Sequence, residues 1–286
     1  MEFRTIRLGW ATDIHLPRAR PEERDRFFGK LAATAADLWV ITGDIGHARS
    51  LEQDLLALAD AVPAPAPIYF VLGNHDFYGG DIAAVRRLVT ALGERGAGNG
   101  RLRWLPAVGP VHLAPRTILL GHDGWADCRL GNVDTTPLVL NDFRYIVGLD
   151  GTVSARIEHM RALADQAAAS VRSQLAAAFA PGRIAARSWS PSTVIVATHV
   201  PPFAESATLK RGPAPPDFLP YFCSKAMGDV LLEAAEQRTD VRFIVLCGHT
   251  HGVGMVEMRE NLTVLTGGAE YGHPEVQAVF DLGPAE

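Results

Sequence analysis

The sequence contains few cysteines, and their spacing does not suggest pairing. The chain of 286 residues has 3 cysteines, Cys128, Cys223 and Cys247, an odd number with no C-x-x-C spacing. Small secreted proteins that depend on disulfide bonds use a denser and usually even set. The sequence therefore indicates reduced thiols and excludes a fold held together by disulfides.

Long hydrophobic segments are also missing. No stretch of the sequence approaches the roughly 20 apolar residues that span a bilayer as a helix. The first residues, Met-Glu-Phe-Arg-Thr-Ile-Arg, are not followed by the apolar region of a secretory signal. We therefore expect a cytoplasmic protein that has no membrane partner.

The chain has no excess of positive charge. Lys and Arg total 27 against 32 Asp and Glu, which gives a formal net charge of −5. The densest basic stretch, residues 18–30, is interrupted by Glu22, Glu23 and Asp25, as on a solvated helix face. This pattern disfavours a broad nucleic-acid surface, although a nucleotide can still reach a pocket. Nothing in the sequence indicates an oligomeric state.

Apolar runs of strand length alternate with longer helical patterns, which predicts a layered α/β fold. We expect the main strands at 6–11, 38–42, 68–72, 194–197 and 243–247, and helices at 21–36, 50–62, 82–92, 153–180 and 222–236. Later runs at 253–258, 262–265 and 276–280 are typical of hairpin strands. No low-complexity linker or repeat divides the chain, so we expect a single domain over residues 1–286. An insertion at 122–180 is expected to form a partial lid.

Polar residues with a carboxylate, amide or imidazole group follow five of the predicted strands. They are Asp13 and His15, Asp44, Asn74 with His75 and Asp76, His199, and His249 with His251. Ligands of α/β proteins bind beyond the carboxyl ends of the strands. Mixed imidazole and carboxylate groups suit first-row divalent metals such as Mn, Fe, Zn, Co or Ni. Even without His75 and Asp76, the seven candidate ligands are too many for one tetrahedral ion but suit two ions that share a carboxylate.

Each of these residues has an ordinary structural explanation when it is taken alone. An Asp after a strand is usually a turn former or a helix cap, and a single His at a strand end is more often hydrogen-bonded than metal-bound. Five clusters that each follow a predicted strand are unlikely to arise by independent coincidence. Their joint occurrence predicts one shared site.

The ordered set of motifs resembles the calcineurin-like metallophosphoesterase superfamily. The blocks run from Asp13-Ile14-His15 to Gly248-His249-Thr250-His251, and the most specific of them are Gly73-Asn74-His75-Asp76 and this last one. The resemblance implies a four-layer α/β/β/α sandwich, in which two packed mixed β-sheets are flanked by helices.

The resemblance also implies a role for each matched residue. Asp13, His15 and His251 would hold one divalent ion, Asn74, His199 and His249 a second, and Asp44 would bridge them. His75 would face the substrate phosphate as the catalytic acid, with Asp76 orienting it. The ions, with Mn or Fe favoured, would share a hydroxide that hydrolyses a phosphodiester or phosphomonoester.

The motifs narrow the substrate only in part. The arginines that the protein phosphatase branch carries after its Gly-Asp motif are missing after Gly43-Asp44. A small-molecule or nucleotide phosphodiester is therefore favoured, as in bacterial phosphodiesterases, although the cyclic-nucleotide type has a second His where this chain has Val200. Loop residues that could contact substrate are His47, Tyr78, Arg144 and Phe203. For each of them a purely structural role is the alternative.

Two other functions are compatible with the same fold. A non-catalytic scaffold would have lost a ligand or the equivalent of His75, whereas every position is filled here. A nuclease would require a basic groove or a capping domain rich in Lys and Arg, and neither is apparent. The sequence therefore favours catalysis on a small phosphoester.

Overall fold

The structure is a computed structural model that describes residues 5–180 and 190–283. Its strands are β1 (Ile6–Ala11), β2 (Leu38–Thr42), β3 (Ile68–Val71), β4 (Gly80–Asp81), β5 (Leu102–Trp104), β6 (Val111–Ala114), β7 (Thr117–Gly121), β8 (Ile146–Val147), β9 (Thr193–Ala197), β10 (Thr208–Leu209), β11 (Gly212–Pro213), β12 (Arg242–Cys247), β13 (Gly254–Arg259), β14 (Leu262–Thr266) and β15 (Val276–Leu282). Its α-helices are α1 (Pro21–Ala33), α2 (Leu51–Ala61), α3 (Ile82–Glu94), α4 (Leu105–Val108), α5 (Asp142–Tyr145), α6 (Val153–Phe179), α7 (Leu219–Phe222) and α8 (Lys225–Gln237).

Two large mixed sheets form the centre of the molecule. The first has the order β15-β1-β2-β3-β5, in which only β15 is antiparallel to its neighbour. The second has the order β13-β14-β12-β9-β7-β6, with β13 and β6 antiparallel at its two edges. These sheets confirm the predicted pair of mixed β-sheets.

The sheets pack face to face, and each carries helices on its other side. Along β2, Trp39 and Ile41 belong to the core beneath α1, α2 and α3, whereas Leu38 and Val40 face the second sheet. Strand β9 alternates in the same way between the core beneath α6 and α8 and the core between the sheets. Because both faces of these strands are covered, they are apolar throughout, as in buried parallel sheets. The predicted four-layer sandwich is confirmed.

Several element boundaries differ from the predictions. Helix α1 ends at Ala33, three residues earlier than expected, and the helix predicted at 222–236 begins only at Lys225, after the separate turn α7. Strand β15 does not join β13 and β14 but pairs with β1, so that Ile6 lies opposite Leu282.

The segment predicted as a lid has two parts. Residues 122–141 contain no helix or strand, whereas α6 packs against α8 and β7 as part of the outer helix layer. The lid predicted for 122–180 therefore does not include α6. Among residues 5–180 and 190–283, no helix is both long and apolar enough to cross a membrane.

Candidate metal centre and active site

The polar clusters predicted from the strand ends meet at one edge of the sandwich. They follow β1, β2 and β3 of the first sheet and β9 and β12 of the second. Six of the seven predicted ligands are buried and His251 is half-buried. The site therefore lies at the junction of the two sheets.

The backbone adopts an unusual conformation at most of these positions. The φ angles of Asp13, His15, Asp44, His249 and His251 are 49°, 40°, 53°, 70° and 61°. This left-handed region is sparsely populated by residues other than glycine, and such strain is concentrated at functional sites. Hydrogen bonds between the loops stabilise this backbone conformation. For example, the His15 N–H donates to the Asp44 carbonyl over 2.9 Å.

Two glycines allow carboxylates to approach the backbone closely. A Cβ atom at Gly73 would lie 2.1 Å from Asp44 Oδ1, and one at Gly248 would lie 2.0 Å from Asp13 Oδ2. Neither distance is possible for real atoms, so any side chain here would displace the carboxylate. The glycines of these motifs are thus required by close packing.

Four of the predicted ligands form a group that could hold a metal ion. Ligand atoms of Asp13, His15, Asp44 and His251 all lie within 4.8 Å of one another. The two imidazole Nε2 atoms of His15 and His251 are 3.2 Å apart. His251 Nε2 is 3.4 Å from Asp13 Oδ1, and His15 Nε2 is 3.6 Å from Asp44 Oδ2.

A second group of side chains converges on the other oxygen of Asp44. Oδ1 of Asn74 lies 3.2 Å from His199 Nε2 and 3.0 Å from His249 Nδ1. His199 Nε2 is also 3.4 Å from Asp44 Oδ1. Asp44 therefore stands between the two groups and presents one carboxylate oxygen to each.

The hydrogen bonds behind the second group determine which atoms face inward. His199 Nδ1 lies 2.8 Å from the Thr42 carbonyl oxygen, and His249 Nε2 lies 3.1 Å from that of Tyr221. A carbonyl oxygen can only accept, so each neutral ring carries its proton on that nitrogen and turns a lone pair towards Asn74.

The amide of Asn74 is oriented in the same manner. Its Nδ2 donates to the Asp142 carboxylate over 2.9 Å, which leaves Oδ1 facing the two imidazoles. Three lone pairs thus point at one another with no proton between them. This arrangement is repulsive in the protein alone and fits a cation among the three atoms.

The protonation of the cluster also favours cations. Burial lowers the pKa of His15 to about 3, and burial together with the neighbouring His199 lowers that of His249 to about 4. These imidazoles are therefore neutral near pH 7, which is the form that binds metals. Burial and the nearby Asp13 raise the pKa of Asp44 well above its usual value. Within the described residues, no Lys or Arg forms an ion pair with Asp13 or Asp44.

His75 lies beside the cluster, at the opening of the site. Its ring is stacked on that of Tyr78, with centroids 4.2 Å apart, and makes an edge contact with His15 at 4.6 Å. Its Nε2 is 4.0 Å from Asp44 Oδ2 and 3.4 Å from the hydroxyl of Tyr271. Burial, followed by the charge of neighbouring imidazoles, lowers the pKa of His75 to about 2.

The predicted pairing of Asp76 with His75 is not present. The Asp76 carboxylate instead accepts the backbone N–H groups of Ile45, Gly46 and Gly73, over 2.9, 2.7 and 2.8 Å. Nδ1 of His75 has no hydrogen-bond partner among the described residues. Asp76 therefore ties the loop after β2 to the loop after β3, and burial raises its pKa to about 7.

The predicted substrate contacts have different outcomes. The half-buried ring of His47 lies 6.2 Å from that of His75, and buried Tyr78 donates its hydroxyl proton to Asp142 over 2.6 Å, so both lie beside the site. Arg144 is exposed on α5, two residues after Asp142. Phe203 was a candidate for substrate contact, with a structural role as the alternative. It is buried in the core beneath α6 and α8, where Gly228 leaves room for its ring.

Two residues at the site were not found by the strand-end rule, that is, by looking for polar residues directly after the predicted strands. Asp142 lies at the start of α5, in a segment whose sequence has no regular pattern. Tyr271 follows β14, and its ring lies 4.6 Å from that of His15. Because β14 is parallel to β12, its carboxyl end reaches the same edge, so a search after this sixth strand could have found Tyr271.

A four-layer sandwich with carboxylates and imidazoles at the shared edge of its sheets is the architecture of metallophosphoesterases, which are hydrolases of phosphoric esters. The chain belongs to the calcineurin-like phosphoesterase family, since the model of that family matches residues 6–253. Within this family, the chain carries a candidate metal-binding cluster.

Individual relatives are distant. The chain is 33% identical over 121 residues to a UDP-2,3-diacylglucosamine hydrolase of Stenotrophomonas maltophilia (strain K279a). The aligned region is 39% of this chain and 44% of that protein. The match thus spans less than half the length of this relative.

Two solved structures resemble the whole chain. A phosphopantetheinyl hydrolase of Mycobacterium tuberculosis has a TM-score of 0.62 at 12% identity, with 94% of this chain and 90% of that chain covered. A dimetal phosphatase of Danio rerio has a TM-score of 0.56 at 13% identity, with 98% and 93% covered. At these identities the likeness concerns the fold.

Proposed function

We propose that the protein is a dinuclear metal-dependent phosphoesterase that acts on a small-molecule or nucleotide phosphodiester. The observation that carries this proposal is the position of Asp44. One of its oxygens lies 3.6 Å from His15 Nε2 and the other lies 3.4 Å from His199 Nε2. A single carboxylate between two sets of neutral imidazoles is suited to bridging two cations.

In this proposal the first ion is held by Asp13, His15 and His251, the second by Asn74, His199 and His249, and both by Asp44. Two divalent cations, when bound, would polarise the phosphoryl oxygens and make a water molecule more acidic. Oxygen and imidazole donors suit Mn or Fe among several first-row ions.

His75 is proposed to contact the phosphate rather than a metal. Its ring is held by stacking on Tyr78, and its Nε2 faces the opening near the hydroxyl of Tyr271. Burial keeps this imidazole neutral in the free protein. The arrival of an anionic substrate would raise its pKa, because nearby negative charge favours the protonated form. His75 could then donate a proton to the leaving oxygen.

The choice of a small substrate has two supports. The walls around His75 are formed by the side chains of His47, Tyr78 and Tyr271, which suit a compact group. The curated relative is named as a hydrolase of a UDP-linked molecule. Both are compatible with a nucleotide or a similar phosphodiester.

An activity screen with metal analysis tests the proposal. Metal-free protein would be loaded separately with Mn²⁺, Fe²⁺ and Zn²⁺, and bound ions counted by mass spectrometry. Each form would be assayed with bis-p-nitrophenyl phosphate, p-nitrophenyl phosphate and cyclic nucleotides. We expect two ions per chain and faster hydrolysis of the diesters. One ion per chain, or no hydrolysis with any metal, would contradict the proposal.

A further inference from the structure

Arg18 is held at the rim of the site by a short turn. The 3-10 turn Leu16–Arg18 follows directly after His15, and the Arg18 N–H donates to the His15 carbonyl over 2.8 Å. The guanidinium carbon is 5.6 Å from the ring centroid of Tyr271, whose ring in turn contacts His15. Arg18 is exposed. A guanidinium cation therefore lies one aromatic ring away from the cluster of candidate metal ligands.

The charge of Arg18 is not neutralised by a neighbour. The other four basic residues between positions 18 and 30 all have carboxylate partners: Arg20 and Arg26 pair with Glu23, Arg24 with Asp54 and Lys30 with Glu275. Arg18 has no ion pair in the part of the chain that the structure describes. Judged against the described residues, Arg18 is the one basic residue of this stretch that lacks a carboxylate partner.

The loop that carries Tyr271 is fixed to the same region. His273 Nδ1 lies 3.5 Å from Glu23 Oε2, and Lys30 pairs with Glu275. Both contacts join the segment between β14 and β15 to α1. These two contacts with α1 hold the loop of Tyr271 close to the turn that carries Arg18.

The influence of Arg18 extends across the opening. The pKa of His47 is lowered first by burial and second by the positive charge of Arg18. His47 lies on the other side of His75, with its ring 6.2 Å away. An anion bound between these residues would therefore experience the same positive charge.

We propose that Arg18 binds a second phosphate of the substrate, next to the phosphate that is cleaved. The guanidinium lies over the ring of Tyr271 without a carboxylate partner among the described residues, and an unpaired guanidinium can donate two parallel N–H groups to a phosphate. The substrate class would then be esters that carry two adjacent phosphates, as in nucleoside diphosphate derivatives. This inference rests on the proposed phosphoesterase function.

The test compares the binding of UMP and UDP, which differ by one phosphate. Dissociation constants would be measured by calorimetry on manganese-loaded protein with the wild-type chain, Arg18→Gln and Arg20→Gln. Arg20 is a matched control because it is an exposed arginine of the same segment that already pairs with Glu23 over 3.4 Å. Hydrolysis of bis-p-nitrophenyl phosphate by the wild type is measured in parallel.

We expect the wild type to bind UDP about two- to fivefold more tightly than UMP, as for one exposed charge pair. Arg18→Gln should reduce this ratio to near one, whereas Arg20→Gln should leave it unchanged. The wild-type preference should also decrease as salt rises from about 50 mM to about 500 mM, because salt screens exposed charges. Arg18→Lys should retain part of the preference for UDP over UMP. This variant checks that Arg18→Gln loses the preference because it loses the charge.

A wild-type protein that hydrolyses the diester but binds UMP and UDP equally, or binds neither, would overturn the role of Arg18. So would an equal loss of preference in Arg18→Gln and Arg20→Gln, which would indicate a general surface field. Absence of diester hydrolysis with every metal would instead refute the proposed function itself.

Discussion

The side-chain amide of Asn74 donates from Nδ2 to Oδ1 of Asp142 over 2.9 Å, and this contact determines which atom of Asn74 faces the imidazoles. Asp142 also accepts the hydroxyl proton of Tyr78 over 2.6 Å. A carboxylate cannot donate, so the amide oxygen must point the other way. Asp142 is therefore a positioning residue for the second group of candidate ligands.

The first prediction follows from this contact. Asp142→Ala removes the acceptor that orients Asn74, and we expect affinity for the second ion to fall about 10- to 100-fold, as for other partners behind metal ligands. The first ion should bind almost as before. Calorimetric titration of the metal-free protein with Mn²⁺ measures both steps. Tyr78→Phe is the comparison, since it keeps the contact of Asn74 with Asp142 and removes only the longer one to the Tyr78 hydroxyl, 3.4 Å from Asn74 Nδ2. Equal loss of both ions in Asp142→Ala would contradict the positioning role.

The second prediction concerns the shared carboxylate. Asp44→Asn replaces two anionic oxygens with one neutral oxygen, so we expect loss of both ions and of activity. Counting the metals bound to the purified variant checks this directly. Asp165→Asn on α6 is a control for a surface carboxylate, since this residue pairs with Arg129 on the exterior. Two ions per chain in Asp44→Asn would refute the bridging assignment.

The third prediction separates proton donation from metal binding. His75→Ala should lower kcat by roughly 10²–10⁴, the usual range for a general acid, while both ions remain bound. His159→Ala should leave kcat unchanged, because His159 lies on α6 and its Nδ1 contacts the Gly148 carbonyl. Turnover at the wild-type level in the His75 variant, or loss of an ion from it, would show that the assignment is wrong.

The fourth prediction concerns a glycine. Gly73→Ala places a Cβ atom 2.1 Å from Asp44 Oδ1, so the carboxylate must move and metal affinity should fall strongly. Gly29→Ala is the matched control, because nothing lies within 4 Å of a Cβ at this position of α1. There we expect unchanged metal binding and a gain of roughly 0.5–1 kcal/mol in the free energy of unfolding. Comparable metal affinity in the two variants would show that Asp44 tolerates displacement.

The fifth prediction tests the structural role of Asp76. Asp76→Asn turns an amide donor towards backbone N–H groups, and we expect the free energy of unfolding of the metal-free protein to fall by about 1–3 kcal/mol at pH 5. Burial raises the pKa of Asp76 from 3.8 to about 7, so the folded state holds a proton that the unfolded state has lost within this range.

The contribution of Asp76 to stability therefore decreases as the pH rises through this window. The difference between wild type and variant should become smaller from pH 5 to pH 8, as measured by urea unfolding. A difference that grows with pH would contradict this reasoning.

The strand-end rule located the candidate ligands because the pattern is local. Each polar cluster directly follows a strand that is apolar on both faces, so position in the sequence specifies position at the edge of the sheet. The rule could not find Asp142, which approaches Asn74 from 68 positions away. The pairing of Asp76 with His75 that the resemblance implied is also not present, because two of the three N–H groups that donate to Asp76 lie in the preceding loop.

The errors in the fold have a similar origin. The pairing of β15 with β1 joins the two ends of the described chain and depends on no local signal. Phe203 lies in a segment rich in proline with no regular apolar pattern. Its burial depends on Gly228 of α8, where a Cβ atom would lie 2.9 Å from the ring. Such a fit between distant residues is a property of the tertiary structure alone.

The division of the candidate ligands between the two sheets has a consequence for assembly. The first sheet contributes Asp13, His15, Asp44 and Asn74, whereas the second contributes His199, His249 and His251. Neither sheet supplies all the proposed ligands of either ion, so cation binding would favour the docked pair over the separated sheets. A chelator should then weaken the cohesion of the two halves and leave each separate layer unaffected. The ions would then link the two sheets at the edge of their apolar interface.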